Sequence, residues 1–199
     1  MKESGKAARN WLDEYVEDHE VVLERSFLKL ADRVERVGKV LVSALKTGHK
    51  VMVFGNGGSA TQASHFAGEL MGRFSKTPRV PLPAVALSSD PGIVTCVGND
   101  FGYGALFERQ IEALAKPGDI ALALTTSGRS ENVLRGLTMA RKKRATTVAL
   151  TGDAGLVGTK VEYLLDVRSA STNHIQEVHL IFLHAWCICI DKEFVRKPQ

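Results

Sequence analysis

Val51-Met52-Val53-Phe54-Gly55-Asn56-Gly57-Gly58-Ser59-Ala60 joins four apolar residues to a glycine-rich loop. A short apolar run bounded by glycine reads as a buried strand, and from Ser59 to about Phe74 the pattern becomes helical. A strand that ends in glycine and opens a helix presents backbone N–H groups to an anion or a polar ligand. His65 and Glu69 follow four residues apart, so they share the helix face just behind the loop.

Outward from this stretch the pattern alternates. Strand-type runs fall at Lys50–Phe54, Pro83–Leu87, Asp119–Leu124, Thr146–Leu150 and Tyr163–Val167. Helical stretches lie at about Val21 to Lys46, Ala105–Leu114, Ser130–Arg141 and Asn173 to Glu193. Strands alternating with helices predict an α/β fold with a parallel sheet covered on both faces. With 199 residues, 44% of them apolar, the chain has the size of one compact domain, and it contains no repeat or low-complexity linker.

Composition narrows the function classes. No run of 18 apolar residues exists, since the longest candidate, Val178 to Ile190, is broken by His179 and His184. The N-terminus is charged rather than leader-like, so the expectation is a soluble, cytoplasmic protein. Cys96, Cys187 and Cys189 form neither a disulfide framework nor a Cys-x-x-Cys zinc site, and are expected to be buried, reduced thiols. The net charge of +4 is modest, and Arg141-Lys142-Lys143-Arg144 sits where a helix should end and cations suit its dipole. A solvated helix end is therefore expected there rather than a nucleic-acid site.

A second loop, Thr125-Thr126-Ser127-Gly128-Arg129-Ser130, also leaves an apolar strand and opens a helix. Hydroxyls around a glycine at a helix N-terminus can donate to a phosphate without a P-loop lysine. The plainer alternative is an ordinary N-cap at Ser130. Neither loop has Walker A spacing, which argues against a nucleoside triphosphatase. The first loop matches G-x-G-x-x-A, but the acidic residue expected about 20 positions on is missing and Asp90 lies late.

The spacing of His65 and Glu69 suits metal ligation or acid–base work, and equally a plain helical pair. Gln176 and His184 lie eight residues apart on the last helix, about 12 Å of rise. They reach one ion only through extended side chains or with help from another subunit; alone, His184 reads as a core or interface histidine.

Together these residues carry a resemblance. Gly55-Asn56-Gly57-Gly58-Ser59, His65-Phe66-Ala67 with Glu69-Leu70, Val97-Gly98-Asn99-Asp100-Phe101-Gly102, Thr126-Ser127-Gly128 with Ser130, Leu150-Thr151-Gly152 and Ile175-Gln176-Glu177 with His184 resemble the phosphoheptose isomerase family over roughly residues 20 to 195. The resemblance implies a sugar-isomerase (SIS) fold: a three-layer, flavodoxin-like parallel sheet with N- and C-terminal helices, assembled as a homotetramer with sites at subunit interfaces. It implies isomerisation of sedoheptulose 7-phosphate to D-glycero-D-manno-heptose 7-phosphate, the first step toward bacterial ADP- or GDP-heptose. It makes Thr125, Thr126, Ser127 and Ser130 the phosphate site and places Asn56, Gly57, Gly58, Asn99 and Asp100 against the sugar. It gives His65, Glu69, Gln176 and His184 a divalent ion, zinc in the family, and makes Glu69 and His184 the acid–base pair. Three positions depart from the family pattern: Gln62 for a common aspartate, Asn173-His174 for an acidic or small residue followed by arginine, and Thr125 for serine.

Two other classes remain: an adaptor resembling the DnaA initiator-associating protein, and a phosphosugar-sensing regulator. The first lacks the Glu69/His184 combination, and the second would usually carry a DNA-binding domain.

Overall fold

The computed structural model describes residues 10–76 and 78–195. Five strands, β1 (Val51–Gly55), β2 (Ala84–Ala86), β3 (Ile120–Thr125), β4 (Thr146–Thr151) and β5 (Tyr163–Asp166), pair in parallel in the order β2-β1-β3-β4-β5. That is the flavodoxin-like order, whose direction of winding reverses between β1 and β3. Among the described residues six α-helices accompany it: α1 (Trp11–Lys46), α2 (Gly58–Met71), α3 (Pro91–Phe101), α4 (Leu106–Leu114), α5 (Glu131–Lys142) and α6 (Thr172–Phe194).

Alternation along the strands builds the layers. Val51, Val53, Leu122, Leu124, Val148 and Leu150 face one core, shared with α1, α2 and α6. Met52, Phe54, Ala121, Ala123 and Ala149 face the other, shared with α4 and α5. Residues one apart in a strand point to opposite faces, so a strand buried on both sides needs apolar side chains at every position. Residues Ile120 to Leu124 are at most 1% exposed, and truncating a side chain such as Leu122 to alanine would cost about 2–5 kcal/mol.

Two helix assignments differ from the sequence pattern. Helix α1 begins at Trp11 rather than near Val21, because the Asn10 side chain accepts from the N–H groups of Leu12 and Asp13 at 2.9 and 3.0 Å and acidic residues fill the first turn. Helix α3 was not expected at all. Asp90 caps it by accepting from the Ile93 N–H at 3.0 Å and Pro91 opens it, but only Val97 on it is buried, so no apolar stripe announces it. Asp90 is thereby spent as a cap, which removes the acidic residue that a dinucleotide site would need. The basic run at 141–144 does end α5, with Arg144 in the left-handed region at φ 59°.

Helix α6 is tied to its neighbours by polar groups inside the core. The Trp186 indole donates to the Val34 carbonyl at 2.9 Å, and Arg79 pairs with Asp191 at 2.7 Å in a nearly dry contact. Burial pushes the His179 imidazole down to about 4 even though its Nε2 lies 3.1 Å from the Thr151 carbonyl, so this histidine is neutral at pH 7. The cysteines divide: Cys187 is buried, its thiol pushed up to about 12 by burial and by the charges of Glu69 and Asp191, whereas Cys96 is exposed, contrary to the expectation of buried thiols.

Candidate active site

The register sets Gly55 of β1 beside Leu124 of β3, so the glycine loop and the threonine-serine loop emerge side by side at the carboxyl edge of the sheet. Open α/β sheets bind ligands at such a reversal point. Gly57 takes φ +55°, and a Cβ on Gly58 would lie 2.8 Å from both amide atoms of Gln176, so this loop needs glycine to let α6 approach. Gly128 is more constrained still, at φ +63° with a Cβ position only 1.7 Å from the Gly155 carbonyl oxygen.

Asn56, Ser59, Thr125, Thr126, Ser127, Ser130 and Gln176 enclose a polar cavity of about 90 Å³. That is well below the roughly 300–1,000 Å³ that encloses a whole small ligand, and it suits one charged group at the end of a longer molecule. Thr125 Oγ1 accepts from the Gly128 N–H at 3.2 Å and Ser127 Oγ from the Arg129 N–H at 3.3 Å, which leaves their O–H protons for a ligand. Ser130 opens α5, yet its hydroxyl makes no bond to that helix, so the ordinary N-cap alternative is not realised.

Asn56 is held by two residues that sequence reasoning missed. It exchanges hydrogen bonds with Asn132, 2.9 Å in each direction, and its Oδ1 accepts from the Tyr103 hydroxyl at 2.8 Å. Nothing local in the sequence links positions 56, 103 and 132. Asn99 and Asp100 lie exposed near the end of α3, joined by a 2.7 Å bond.

The remaining expected residues lie along the seam between α2 and α6. Gln176 sits at the loop end, where Gln62 Nε2 donates to its backbone carbonyl at 2.7 Å; an aspartate at 62 could not donate this bond. The Gln62 Oε1 is buried and unpartnered among the described residues. Further along, His65 Nε2 and His184 Nε2 face each other at 2.9 Å, with Glu69 Oε1 at 3.7 Å from the opposite ring nitrogen, Nδ1, of His65. Burial first, and then the positive field of His65, lower the His184 imidazole below its ordinary value, against the pull of Glu69.

A lowered imidazole such as His184 offers its lone pair to a transition ion more readily. Two zinc–nitrogen bonds of 2.0–2.1 Å at a tetrahedral angle set their nitrogens roughly 3.3 Å apart, so the 2.9 Å pair fits such an ion with a small spread. Glu69 lies beside the pair, whereas Gln176 lines the polar cavity at the loop end of the seam. A separate group, His19, His174 and Glu177, places three possible ligand atoms within 4.8 Å of one another where α1 crosses the start of α6.

A family model described as the SIS domain matches residues 14–152. Phosphoheptose isomerase of Aquifex aeolicus is 48% identical over 169 residues, 84% of this chain and 88% of that protein. The chain belongs to the phosphoheptose isomerase family. Among solved structures, a phosphoheptose isomerase from Francisella tularensis superposes with a TM-score of 0.86 at 35% identity, covering 91% of this chain and 96% of that one. Phosphoheptose isomerase GmhA from Neisseria gonorrhoeae gives 0.82 at 33% identity, covering 91% and 97%. The family has the fold found here, and the matched SIS segment ends before α6, so Gln176 and His184 lie outside it.

Proposed function

We propose that this chain is an aldose–ketose isomerase that converts sedoheptulose 7-phosphate to D-glycero-D-manno-heptose 7-phosphate through an enediol, in the route to bacterial ADP- or GDP-heptose and lipopolysaccharide. The observation that carries the reading is the pairing on α6. Gln176 closes a hydroxyl-lined cavity of phosphate size, and His184, about 12 Å further along the helix, meets His65 beside Glu69.

Thr125, Thr126, Ser127 and Ser130 take the phosphate at the start of α5, where N–H groups and the helix dipole favour an anion. Asn56, fixed by Asn132 and Tyr103, and the Gly57–Gly58 backbone orient the sugar, with Asn99 and Asp100 approaching from α3. Glu69 and His184 form the acid–base pair. One takes the proton from C1 of the ketose to give the enediol, the other returns a proton to C2, and the O1 hydroxyl proton moves to O2, so the C2 carbonyl becomes a C1 carbonyl. His65, His184 and Glu69 are the donors that this chain brings together for a zinc ion, with Gln176, about 12 Å along α6, joining them from another subunit; the ion when bound would stabilise the developing oxyanion. Glu69, on the Nδ1 side of His65, and His184 each serve one role at a time, metal donor or proton carrier.

We infer a homotetramer acting in the cytoplasm. Trp11, Leu28, Phe101 and Tyr103 expose large apolar surfaces on α1 and around the end of α3, the kind of face that a partner subunit covers, and His65 is itself 41% exposed. No helix among the described residues is long and apolar enough to cross a membrane. The test is turnover of sedoheptulose 7-phosphate by purified, zinc-loaded protein. Formation of the aldose supports the reading; folded, metal-loaded protein that neither binds nor isomerises the sugar phosphate overturns it in favour of an adaptor.

A further inference from the structure

The crossing of α1 and α6 holds a second polar cluster that the isomerisation does not use. His19 Nδ1 lies 2.8 Å and His174 Nδ1 3.0 Å from the same oxygen of Glu177, Oε2, while the other carboxylate oxygen accepts from the Tyr15 hydroxyl. Tyr15 and His19 are one turn apart on α1, as are His174 and Glu177 on α6, so each helix offers a two-residue grip. The His174 side chain is only 7% exposed.

Hydrogen bonding alone leaves this cluster incomplete. His19 Nδ1 is out of contact with water and, despite its closeness to Glu177, makes no hydrogen bond of proper geometry among the described residues. A buried nitrogen aimed at a carboxylate oxygen without donating to it is the arrangement of two groups that share a third centre. The three ligand atoms lie within 4.8 Å of one another, and metal–nitrogen and metal–oxygen bonds of about 2.0–2.2 Å need the two nitrogen–oxygen contacts of 2.8 and 3.0 Å to open slightly. Tyr15 fixes the free carboxylate oxygen, as outer-shell partners of metal ligands do.

We propose that His19, His174 and Glu177 form a second divalent-metal site, distinct from the His65/His184 pair, which clamps α1 to the first turns of α6. Two imidazoles and a carboxylate select a borderline ion such as Zn²⁺, Co²⁺ or Ni²⁺ over Mg²⁺ or Ca²⁺. The clamp borders the active site through the chain itself, because Gln176, which lines the phosphate cavity, lies between His174 and Glu177. Its role is structural: it holds the helix that carries Gln176 and His184.

The experiment removes the other cluster first. In a His65→Ala/His184→Ala background, chelator-stripped protein is titrated with Zn²⁺ by calorimetry and with Co²⁺ by visible absorption, and retained metal is counted by elemental analysis after gel filtration. The site predicts one equivalent per chain with a tetrahedral cobalt spectrum. It also predicts that His19→Gln or Glu177→Gln weakens binding by more than the roughly 10–100-fold that loss of an outer-shell partner costs. His19→Gln lies on the more accessible side of the cluster, and circular dichroism of each apo-protein checks that it folds. Mg²⁺ should not compete, and Zn²⁺ should raise the melting temperature of the background protein but not of its His19→Gln derivative. Absence of metal from the background protein, or binding unaltered by both substitutions, overturns the proposal. Neither readout depends on isomerase activity.

Discussion

Ser130→Ala separates a phosphate cradle from a helix cap by two measurements on one protein. A serine that caps a helix contributes about 0.5–2 kcal/mol to stability, but Ser130 makes no bond to α5, so its removal should change unfolding free energy by less than about 0.5 kcal/mol. A hydroxyl that donates to a phosphate dianion contributes about 1.5–3 kcal/mol, and at roughly 1.4 kcal/mol per decade binding should weaken about one to two decades. Ser127→Ala should behave alike, since the one bond it gives up is a 3.3 Å contact from the Arg129 N–H. Calorimetric titration would use sedoheptulose 7-phosphate, inorganic phosphate and unphosphorylated sedoheptulose, with urea unfolding in parallel. The loss should appear for the first two ligands and not for the third. Equal losses for phosphorylated and unphosphorylated sugar would refute the cradle. A destabilised protein that still binds phosphate normally would restore the cap.

The catalytic assignment predicts that Glu69→Gln and His184→Ala each lower turnover by about 10²-fold or more while assembly, followed by gel filtration, is kept; near wild-type rates in either would remove that residue from the chemistry. Chelation should abolish activity and Zn²⁺ restore it, whereas full activity in protein shown to be metal-free would leave the histidine pair as a purely organic site. Asp191 carries a pH signature. Burial alone would raise its carboxyl, but bonds from Ser75 and Arg79 outweigh that and hold it below the ordinary carboxylate value. Its contribution is therefore full above that ordinary value and fades as pH falls through the lowered one. Removing one partner of so dry a pair should cost about 3–5 kcal/mol at pH 7 in Arg79→Leu, and unfolding curves for Asp191→Asn should show a smaller acid-side drop than the wild type, Asp119 and Glu177 supplying the rest.

The strands were legible because each is an apolar run bounded by turn residues, whereas the flavodoxin-like arrangement was implied only by the resemblance to the family. Helix α3 was not, although Asp90-Pro91 is a helix start, because a helix that buries only Val97 leaves no apolar period to find. The hydroxyl lining of the second loop could be read from residue type alone. The partners Asn132 and Tyr103 could not, since their bonds to Asn56 are made by folding over 76 and 47 positions of chain. His19 was missed for the same reason: its ligand set is completed across two helices 155 positions apart, and helical spacing shows only half of it at a time.

Helix α6 resolves why its histidines read as core residues and yet serve three purposes. His174, His179 and His184 are five residues apart, and each step of five turns the side chain about 140° around the axis. His174 accordingly meets α1, His179 meets β4 through the Thr151 carbonyl, and His184 meets α2. A helix gripped on three sides cannot rotate without breaking all three contacts, so the separation of Gln176 from His184, about 12 Å along the axis, is fixed. From phosphorus to C2 of a ketoheptose 7-phosphate there are seven bonds, about 8 Å when extended at roughly 1.2 Å per bond; side-chain reach closes the remainder. A ketohexose 6-phosphate is one bond shorter. With its phosphate seated in the same cradle, its C1–C2 carbons should fall about 1 Å short of Glu69 and His184, a displacement that costs on the order of 10²-fold in rate. Fructose 6-phosphate should therefore compete for binding within about tenfold of the heptulose phosphate, because the cradle supplies most of the affinity, yet turn over about 10²-fold more slowly. Comparable kcat values for the two sugars would show that α6 does not set the distance.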